Sequence, residues 1–223
     1  MTMYDIGIGI TTHNRKEMCI DTVERIRSMS PKSTHIIVVD DASQDPPPSD
    51  HRFNQNVGIT EAKNMCLKKL RHHEHIFLFD DDCYPTSKRW YVPYVTSPYP
   101  HLCYTFPTFV DGKGTGNTTI KTENGHTWYQ HACGCMIYIR KSVLDVVGGY
   151  DHRFGLYGHE HINFSKRVHK AGLIPHPFID VEKPMFYSYD QQKNVEHSIP
   201  FRVRRRSLRR NKNLTIDKIK HPL

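Results

Sequence analysis

Three consecutive aspartates, Asp80, Asp81 and Asp82, directly follow the apolar run Ile76–Phe79. Four large apolar residues in a row are typical of a strand buried on both faces, so the acids stand at a strand end. Clustered carboxylates repel one another and are costly to desolvate, and a divalent cation would offset both costs. Because Mg²⁺ and Mn²⁺ prefer oxygen ligands, we expect Asp80 and Asp82 to hold such an ion. The alternative is a solvated acidic turn.

A second group of polar side chains lies in Gly158-His-Glu-His161, at the start of a predicted helix that ends at Gly172. Glu160 and His161 stand in its first turn. The helix dipole favours an acid there even without a function. Glu160 alone therefore does not establish an active site.

The elements that would position these side chains alternate between strand and helix through residue 85. Isoleucines alternate with Gly7 and Gly9 in the first strand, a period typical of a strand that another backbone or a ligand approaches closely. Asn14 and Glu17 have capping-box spacing, which predicts that the first helix starts there. A second strand over residues 36–39 and a second helix over residues 60–71 follow.

This alternation predicts an α/β fold with a mostly parallel sheet flanked by helices. Ligands bind beyond the carboxyl ends of the strands in such sheets. We therefore expect Thr12, Asp41 and Asp80 to converge on that edge.

The pattern changes between about residues 90 and 140 to aromatic and β-branched runs. Asp111–Gly116 and Asn124-Gly125 separate these runs and are typical of hairpin turns. A small antiparallel portion is therefore expected. A strand over residues 132–139 and a helix over residues 142–147 follow it.

The 223 residues suffice for one sizeable core, and no apolar run is long enough to span a membrane. The six cysteines have no paired spacing that would indicate zinc, so we interpret them as reduced thiols. These features predict a cytoplasmic protein.

The positive charge is concentrated at the C-terminus, because residues 201–223 hold nine Lys or Arg and one acid. We predict a polyanion-binding tail, although a basic solubilising tail remains the alternative. The candidate contacts are the six arginines of this segment: Arg202, Arg204, Arg205, Arg206, Arg209 and Arg210.

Five stretches in this order resemble the family 2 glycosyltransferases of the GT-A fold. They are residues 8–15, 39–43, 56–64, 79–82 and 148–161. The resemblance implies a Rossmann-like GT-A domain over residues 1–200, with a nucleotide-binding half (1–85) and an acceptor-side half (86–200). Residues 201–223 would be a basic extension.

The resemblance also implies roles for individual residues. Asp80 and Asp82 would form the D-x-D motif that holds the ribose and a Mn²⁺ or Mg²⁺ ion, and the ion would bridge the diphosphate. The nucleotide-binding candidates are Thr12, Asn14, Arg15, Asp41, Lys63, Asp80 and Asp81. Asp41 would accept a hydrogen bond from the base, and a UDP-sugar is the expected donor.

Glu160 and His161 occupy the place of the family's Glu-Asp pair, where a carboxylate deprotonates the acceptor hydroxyl. The second acid is missing, so either Glu160 or His161 is the base, and we favour Glu160. Related enzymes often take a third metal ligand, commonly a histidine, from further along the chain. His197 is preferred here over His176.

The resulting expectation is a metal-dependent, inverting glycosyltransferase acting on a glycan or glycolipid hydroxyl. One alternative is transfer to hydroxymethylated DNA bases, as in bacteriophages, which would fit a bacterial or phage-infected cell. A non-enzymatic alternative is an inactive GT-A protein that binds a polyanion.

Overall fold

The computed structural model describes residues 4–106, 118–189 and 198–223, and the backbone of 109–110 and 113–114. The strands are β1 (Ile6–Thr12), β2 (His35–Asp40), β3 (His51–Arg52), β4 (His75–Asp80), β5 (Cys83–Pro85), β6 (His101–Cys103), β7 (Phe109–Val110), β8 (Lys113–Gly114), β9 (Thr119–Glu123), β10 (His126–Tyr129), β11 (Met136–Arg140), β12 (Ile179–Val181) and β13 (Phe186–Ser188). The helices are α1 (Lys16–Met29), α2 (Ile59–Leu70), α3 (Val92–Val95), α4 (Lys141–Val147), α5 (Glu160–Lys170) and α6 (Phe201–Asn211), with a 3-10 turn at His152–Phe154.

A six-stranded sheet in the order β3-β2-β1-β4-β11-β6 forms the centre of the molecule. Strands β3, β2, β1 and β4 are parallel, whereas β11 is antiparallel to both β4 and β6. The predicted α/β class with a mostly parallel sheet is confirmed. Apolar clusters cover both faces of this sheet, which explains the uninterrupted apolar run of β4.

The two glycines of β1 allow helix α2 to pack close to the sheet. A Cβ at Gly9 would lie 2.7 Å from Cβ of Cys66, and one at Gly7 would lie 2.7 Å from the ring of His73. The expected close approach to β1 is therefore present. It is made by the side chains of Cys66 in α2 and His73 just after α2, and not by a backbone or a ligand.

The predicted cap of the first helix is wrong. Helix α1 begins at Lys16 after Arg15, and no side chain of the described residues caps its first turn. Asn14 instead has a positive φ of 53°, and its side-chain oxygen accepts a hydrogen bond from the Gln44 amide at 2.7 Å. Asn14 therefore joins the β1–α1 loop to the loop after β2.

The antiparallel portion contains one predicted turn that the structure describes. Asn124 and Gly125, with φ of 51° and 73°, connect β9 to β10 as the hairpin prediction requires. Strand β8 lies inside the other predicted turn, Asp111–Gly116, and pairs with β7, while residues 111–112 and 115–116 of that turn lie outside the described residues.

The basic C-terminal segment packs on the body of the protein. Helix α6 buries Ser207 and Asn211, and the chain beyond it forms a bridge between His221 and Gly148. The buried guanidinium of Arg167 donates to the carbonyl oxygen of Ile219 at 2.9 Å. Within the described part of the chain, no helix is long and apolar enough to cross a membrane.

Candidate active site

A cleft of about 270 Å³ lies at the carboxyl ends of the central strands. Thr12 from β1, Asp41 after β2 and Asp80 from β4 all line it, as predicted. The start of α5 contributes Glu160 and His161, and α6 contributes Arg204 and Leu208. The sheet edge and the helices α5 and α6 therefore enclose one site.

Asp80 and Asp82 both line the cleft, and Oδ1 of each carboxylate is buried. Oδ1 of Asp82 has no hydrogen-bond partner among the described residues, whereas Oδ1 of Asp80 forms an ion pair with Lys63. Unpaired buried carboxylate oxygens are costly unless a cation or a donor meets them. Burial also raises the pKa of Asp80, to about 6. This oxygen-rich pair fits a hard divalent cation better than a solvated turn.

The middle aspartate has a different environment. Asp81 is buried, and its carboxylate accepts hydrogen bonds from the Thr12 hydroxyl at 2.6 Å and from the Arg15 guanidinium. Its backbone oxygen accepts a hydrogen bond from Thr22 of α1 at 2.7 Å. Arg15 also donates to Asp82 Oδ2 at 2.8 Å. Asp81 thus joins β4 to β1 and α1.

Lys63 of α2 is buried between the two predicted acidic centres. Its Nζ lies 3.2 Å from Asp80 Oδ1 and 3.6 Å from Glu160 Oε1, and it donates to the carbonyl oxygen of Gly134 at 3.2 Å. Although burial acts to lower the pKa of Lys63, the two carboxylates outweigh it and raise that pKa above its usual value. Lys63 therefore links the D-x-D strand to helix α5.

Glu160 is 4% exposed and lies at the start of α5. Its Oε1 is 3.2 Å from Nδ1 of His161, while its Oε2 is buried and has no hydrogen-bond partner among the described residues. Burial acts to raise the pKa of Glu160, but His161 and Lys63 outweigh it and hold that pKa below its usual range. Glu160 is therefore an ionised carboxylate with one free oxygen.

Both nitrogens of His161 face acceptors. Nδ1 lies against Glu160, and Nε2 lies 3.2 Å from the carbonyl oxygen of Ala132. Both ring nitrogens are therefore engaged in contacts within the protein. The ring also packs against Gly134, where a Cβ would lie 2.7 Å from it.

Asp41 forms part of the cleft wall and shapes a neighbouring turn. Its two carboxylate oxygens accept hydrogen bonds from the amides of Val57 and Gly58 at 2.7 and 2.8 Å. Gly58 has a φ of 91° and packs against the backbone of Leu156, so this turn requires glycine. Burial raises the pKa of Asp41.

Of the two candidates for a third metal ligand, the structure describes only His176. His197, the preferred candidate, lies outside the described residues. His176 is half-buried, and its Nε2 lies 2.7 Å from the carbonyl oxygen of Tyr129. That contact occupies Nε2, and His176 is not among the residues that line the cleft.

The six arginines of the C-terminal segment divide into two groups. Arg204 lines the cleft, and Arg210 donates to the carbonyl oxygen of Phe154 at 2.8 Å. The other four are exposed and, with 3.6 residues per turn, share one side of the helix. We call them the arginine face: Arg202, Arg205, Arg206 and Arg209.

Several cleft residues were missed by the sequence analysis. His13 lies between predicted residues, and its Nδ1 is 2.6 Å from the carbonyl oxygen of Asp41. Its position next to Thr12 was the available signal. Gly134 and Leu208 gave no such signal, because they reach the cleft only through the packing of β11 and α6.

The sequence matches the family described as Glycosyl transferase family 2 over residues 8–148. An uncharacterized glycosyltransferase of Acanthamoeba polyphaga mimivirus is 27% identical over 213 residues, covering 82% of this chain and 79% of the relative.

Three solved structures share the GT-A fold at low sequence identity. GalNAc-T7 with UDP, GalNAc and Mn²⁺ has a TM-score of 0.56 at 14% identity over 72% of this chain. TarS of S. aureus has a TM-score of 0.53 at 15% identity over 83% of this chain. The mannosyltransferase PcManGT of Pyrobaculum calidifontis, with GDP-Man and Mn²⁺, has a TM-score of 0.52 at 13% identity over 81% of this chain. The matched parts are 39%, 60% and 55% of those three chains.

Proposed function

Because this chain belongs to glycosyl transferase family 2 and is a glycosyltransferase, we propose that it transfers a sugar from a nucleotide diphosphate sugar to an acceptor hydroxyl with inversion. The observation that carries this proposal is the enclosure of Asp80, Asp82 and Glu160 in one cleft. Asp82 Oδ1 and Glu160 Oε2 are buried and have no hydrogen-bond partner among the described residues, and the buried Oδ1 of Asp80 is 3.2 Å from the ammonium of Lys63. One site thus offers two oxygens for a cation and one for a proton.

Asp80 and Asp82 would hold a Mn²⁺ or Mg²⁺ ion through those oxygens. A divalent cation bound there would neutralise charge that builds up on the departing diphosphate. Two structures with the same fold, GalNAc-T7 and PcManGT, were solved with Mn²⁺. Arg15, which donates to Asp82 at 2.8 Å, would keep this carboxylate in place.

Glu160 is the proposed general base. The acceptor oxygen attacks the anomeric carbon as the bond from that carbon to the diphosphate oxygen breaks, and the acceptor proton passes to Oε2 of Glu160. The products are the glycosylated acceptor and the free nucleotide diphosphate. His161, with both nitrogens facing acceptors, orients Glu160 and does not take the proton.

The nucleotide would lie against the wall formed by Thr12, Arg15 and Asp41, which line the cleft. The buried Lys63 would not contact the nucleotide directly but would hold Asp80 and Glu160 in place through its two ion pairs. Asn14, whose side chain joins two loops, would support this wall from outside. We propose a UDP-sugar as the donor.

A screen of UDP-, GDP- and CMP-sugars, with Mn²⁺ or Mg²⁺ and with chelator, tests this proposal. We expect metal-dependent release of one nucleotide diphosphate. Absence of hydrolysis and transfer with every donor, from folded protein, would instead favour an inactive polyanion-binding GT-A protein.

We further propose that the acceptor is an anionic glycan or glycolipid that the arginine face docks beside the cleft. Helix α6 contains no acid to neutralise its arginines, and Arg204 and Leu208 of the same helix line the cleft. Phe201 at its start is 66% exposed. An exposed aromatic residue beside arginines is typical of helices that bind anionic lipid surfaces.

Hydroxymethylated DNA is the second acceptor class that an arginine face fits. Phosphate contacts would make its binding strongly salt dependent, and the target base would have to leave the stack to reach Glu160. Glycosylation of duplex DNA containing hydroxymethylated pyrimidines, without binding to anionic vesicles, would replace the glycolipid proposal with this one.

A further inference from the structure

Three histidines meet at the edge of the sheet opposite to the cleft. His35 is the first residue of β2, and His72 and His73 follow the end of α2. One ring nitrogen from each lies within 4.8 Å of the other two. This edge contains the amino ends of the parallel strands, because His35 pairs with Gly7 near the start of β1.

The ring of His73 is held in one orientation. Its Nδ1 lies 2.5 Å from Asp5 Oδ1, and Asp5 Oδ2 accepts a hydrogen bond from the Glu74 amide at 3.0 Å. The other side of the ring packs on Gly7, where a Cβ would lie 2.7 Å from Cδ2. In the tautomer that donates Nδ1–H to this carboxylate, Nε2 carries the lone pair.

That lone pair points towards a second imidazole. Nε2 of His73 lies 2.9 Å from Nδ1 of His35, and the rings of His72 and His73 are centred 4.0 Å apart. A histidine whose other nitrogen donates to a carboxylate is the arrangement that supports histidine ligands of metals. Nitrogens bound to one tetrahedral ion would be about 3.3 Å apart, given metal–nitrogen bonds of about 2.0 Å. His35 and His72 are exposed and free to turn into that geometry.

We propose that His35, His72 and His73, with Asp5 as an orienting carboxylate, form a site for a transition-metal dication of the Zn²⁺ class. Imidazole ligands suit Zn²⁺, whereas Mg²⁺ and Mn²⁺ prefer oxygen. Two elements contribute ligands, so the ion would fasten the start of β2 to the end of α2. The site does not depend on the proposed glycosyl transfer.

Calorimetry with untagged, full-length protein in excess Mg²⁺ tests the site, with Zn²⁺ as the titrant. We expect one Zn²⁺ site and a rise in Tm with Zn²⁺. His73→Asn should abolish both effects, and Asp5→Asn should weaken Zn²⁺ binding by about 10-fold to 100-fold. His152→Asn, an exposed histidine elsewhere that pairs with Glu61, is the matched control and should change neither.

Co²⁺ provides an independent readout, because a tetrahedral nitrogen site gives it an intense visible absorption that an oxygen site does not. His72→Asn replaces an exposed side chain, so this variant keeps the test usable if His73→Asn fails to fold. Unchanged Zn²⁺ affinity and Co²⁺ absorption in folded His72→Asn would overturn the proposal. So would equal losses in His152→Asn.

Discussion

The ammonium nitrogen of Lys63 lies 3.2 Å from Oδ1 of Asp80 inside the protein, and the same ammonium is 3.6 Å from Glu160. One cation on α2 thus connects the carboxylate proposed to hold a metal with the carboxylate proposed as base. Lys63 itself is 1% exposed.

Lys63→Met should destabilise the protein by about 3 kcal/mol, because it leaves the buried Glu160 and the partly exposed Asp80 without their cation. Tm should fall by about 2–4 °C for each kcal/mol. Losing the cation should also raise the pKa of Glu160, so the acid limb of the transfer rate should move to higher pH. Lys68→Met, an exposed lysine of the same helix, is the control. An unchanged Tm would contradict the role given to Lys63.

Asp82→Ala and Asp81→Ala should separate the two functions of the acidic run. Asp82→Ala should abolish metal-dependent UDP binding with little change in Tm, because Arg15 keeps its contact with Asp81. Asp81→Ala should lower stability by about 3 kcal/mol, because it leaves the Thr12 hydroxyl unpaired and leaves the partly buried guanidinium of Arg15 with Asp82 as its remaining carboxylate partner. Calorimetry measures the UDP affinity of both variants, and thermal unfolding measures their stability. Unchanged UDP affinity in Asp82→Ala would remove the metal site from the proposal.

Glu160→Gln should retain donor affinity and lose transfer by about 100-fold to 10,000-fold, as expected for a general base. His161→Asn should lose less, because it removes only the group that orients Glu160. Single-turnover transfer rates, with donor affinity measured separately, distinguish the two. An active Glu160→Gln beside an inactive His161→Asn would reverse the assignment.

Replacing the arginine face with glutamine should weaken binding to anionic vesicles and flatten its salt dependence while donor hydrolysis is retained. The matched control removes the same charge from exposed positions elsewhere: Arg27, Lys32, Lys68 and Lys170. Equal loss of binding in both variants would show that net charge, and not α6, governs docking.

Point substitutions are needed because deleting residues 202–223 would not be a clean test. The side-chain nitrogen of Asn211 lies within 2.9 Å of the carbonyl oxygens of Phe154, Tyr157 and Gly158. These carbonyls belong to the loop that leads to Glu160. The deletion should therefore reduce donor hydrolysis as well.

The stability of the fold should decrease as pH falls from about 6.5 to 4. Burial lowers the pKa of His101 to about 4, so the unfolded chain binds a proton in this window and the folded protein does not. The contribution is about 3 kcal/mol over the window. Urea unfolding at several pH values should show a shallower decline in His101→Gln. An identical pH slope in both proteins would contradict the neutral, buried state of His101.

The sequence by itself determined the parallel sheet and the edge at which ligands bind. Strand and helix periods depend on neighbours two to four residues apart, and β1, β2, β4 and α2 carry those periods clearly. The run Asp80–Asp82 at a strand end therefore sufficed to place Asp80 and Asp82 at that edge, where both line the cleft. It also correctly placed Thr12 and Asp41 beside that position.

Only the tertiary structure decided which way each acid faces and what closes the site. Asp81 turns inward because Thr12 and Arg15 meet it there, while Lys63 joins Asp80 to Glu160 across three separate elements. The position of α6 beside the cleft likewise depends on the packing of Leu208 on Gly158. These contacts join residues distant in the chain, and no local period encodes them. Their energies arise only when burial removes the charges and the polar backbone from water.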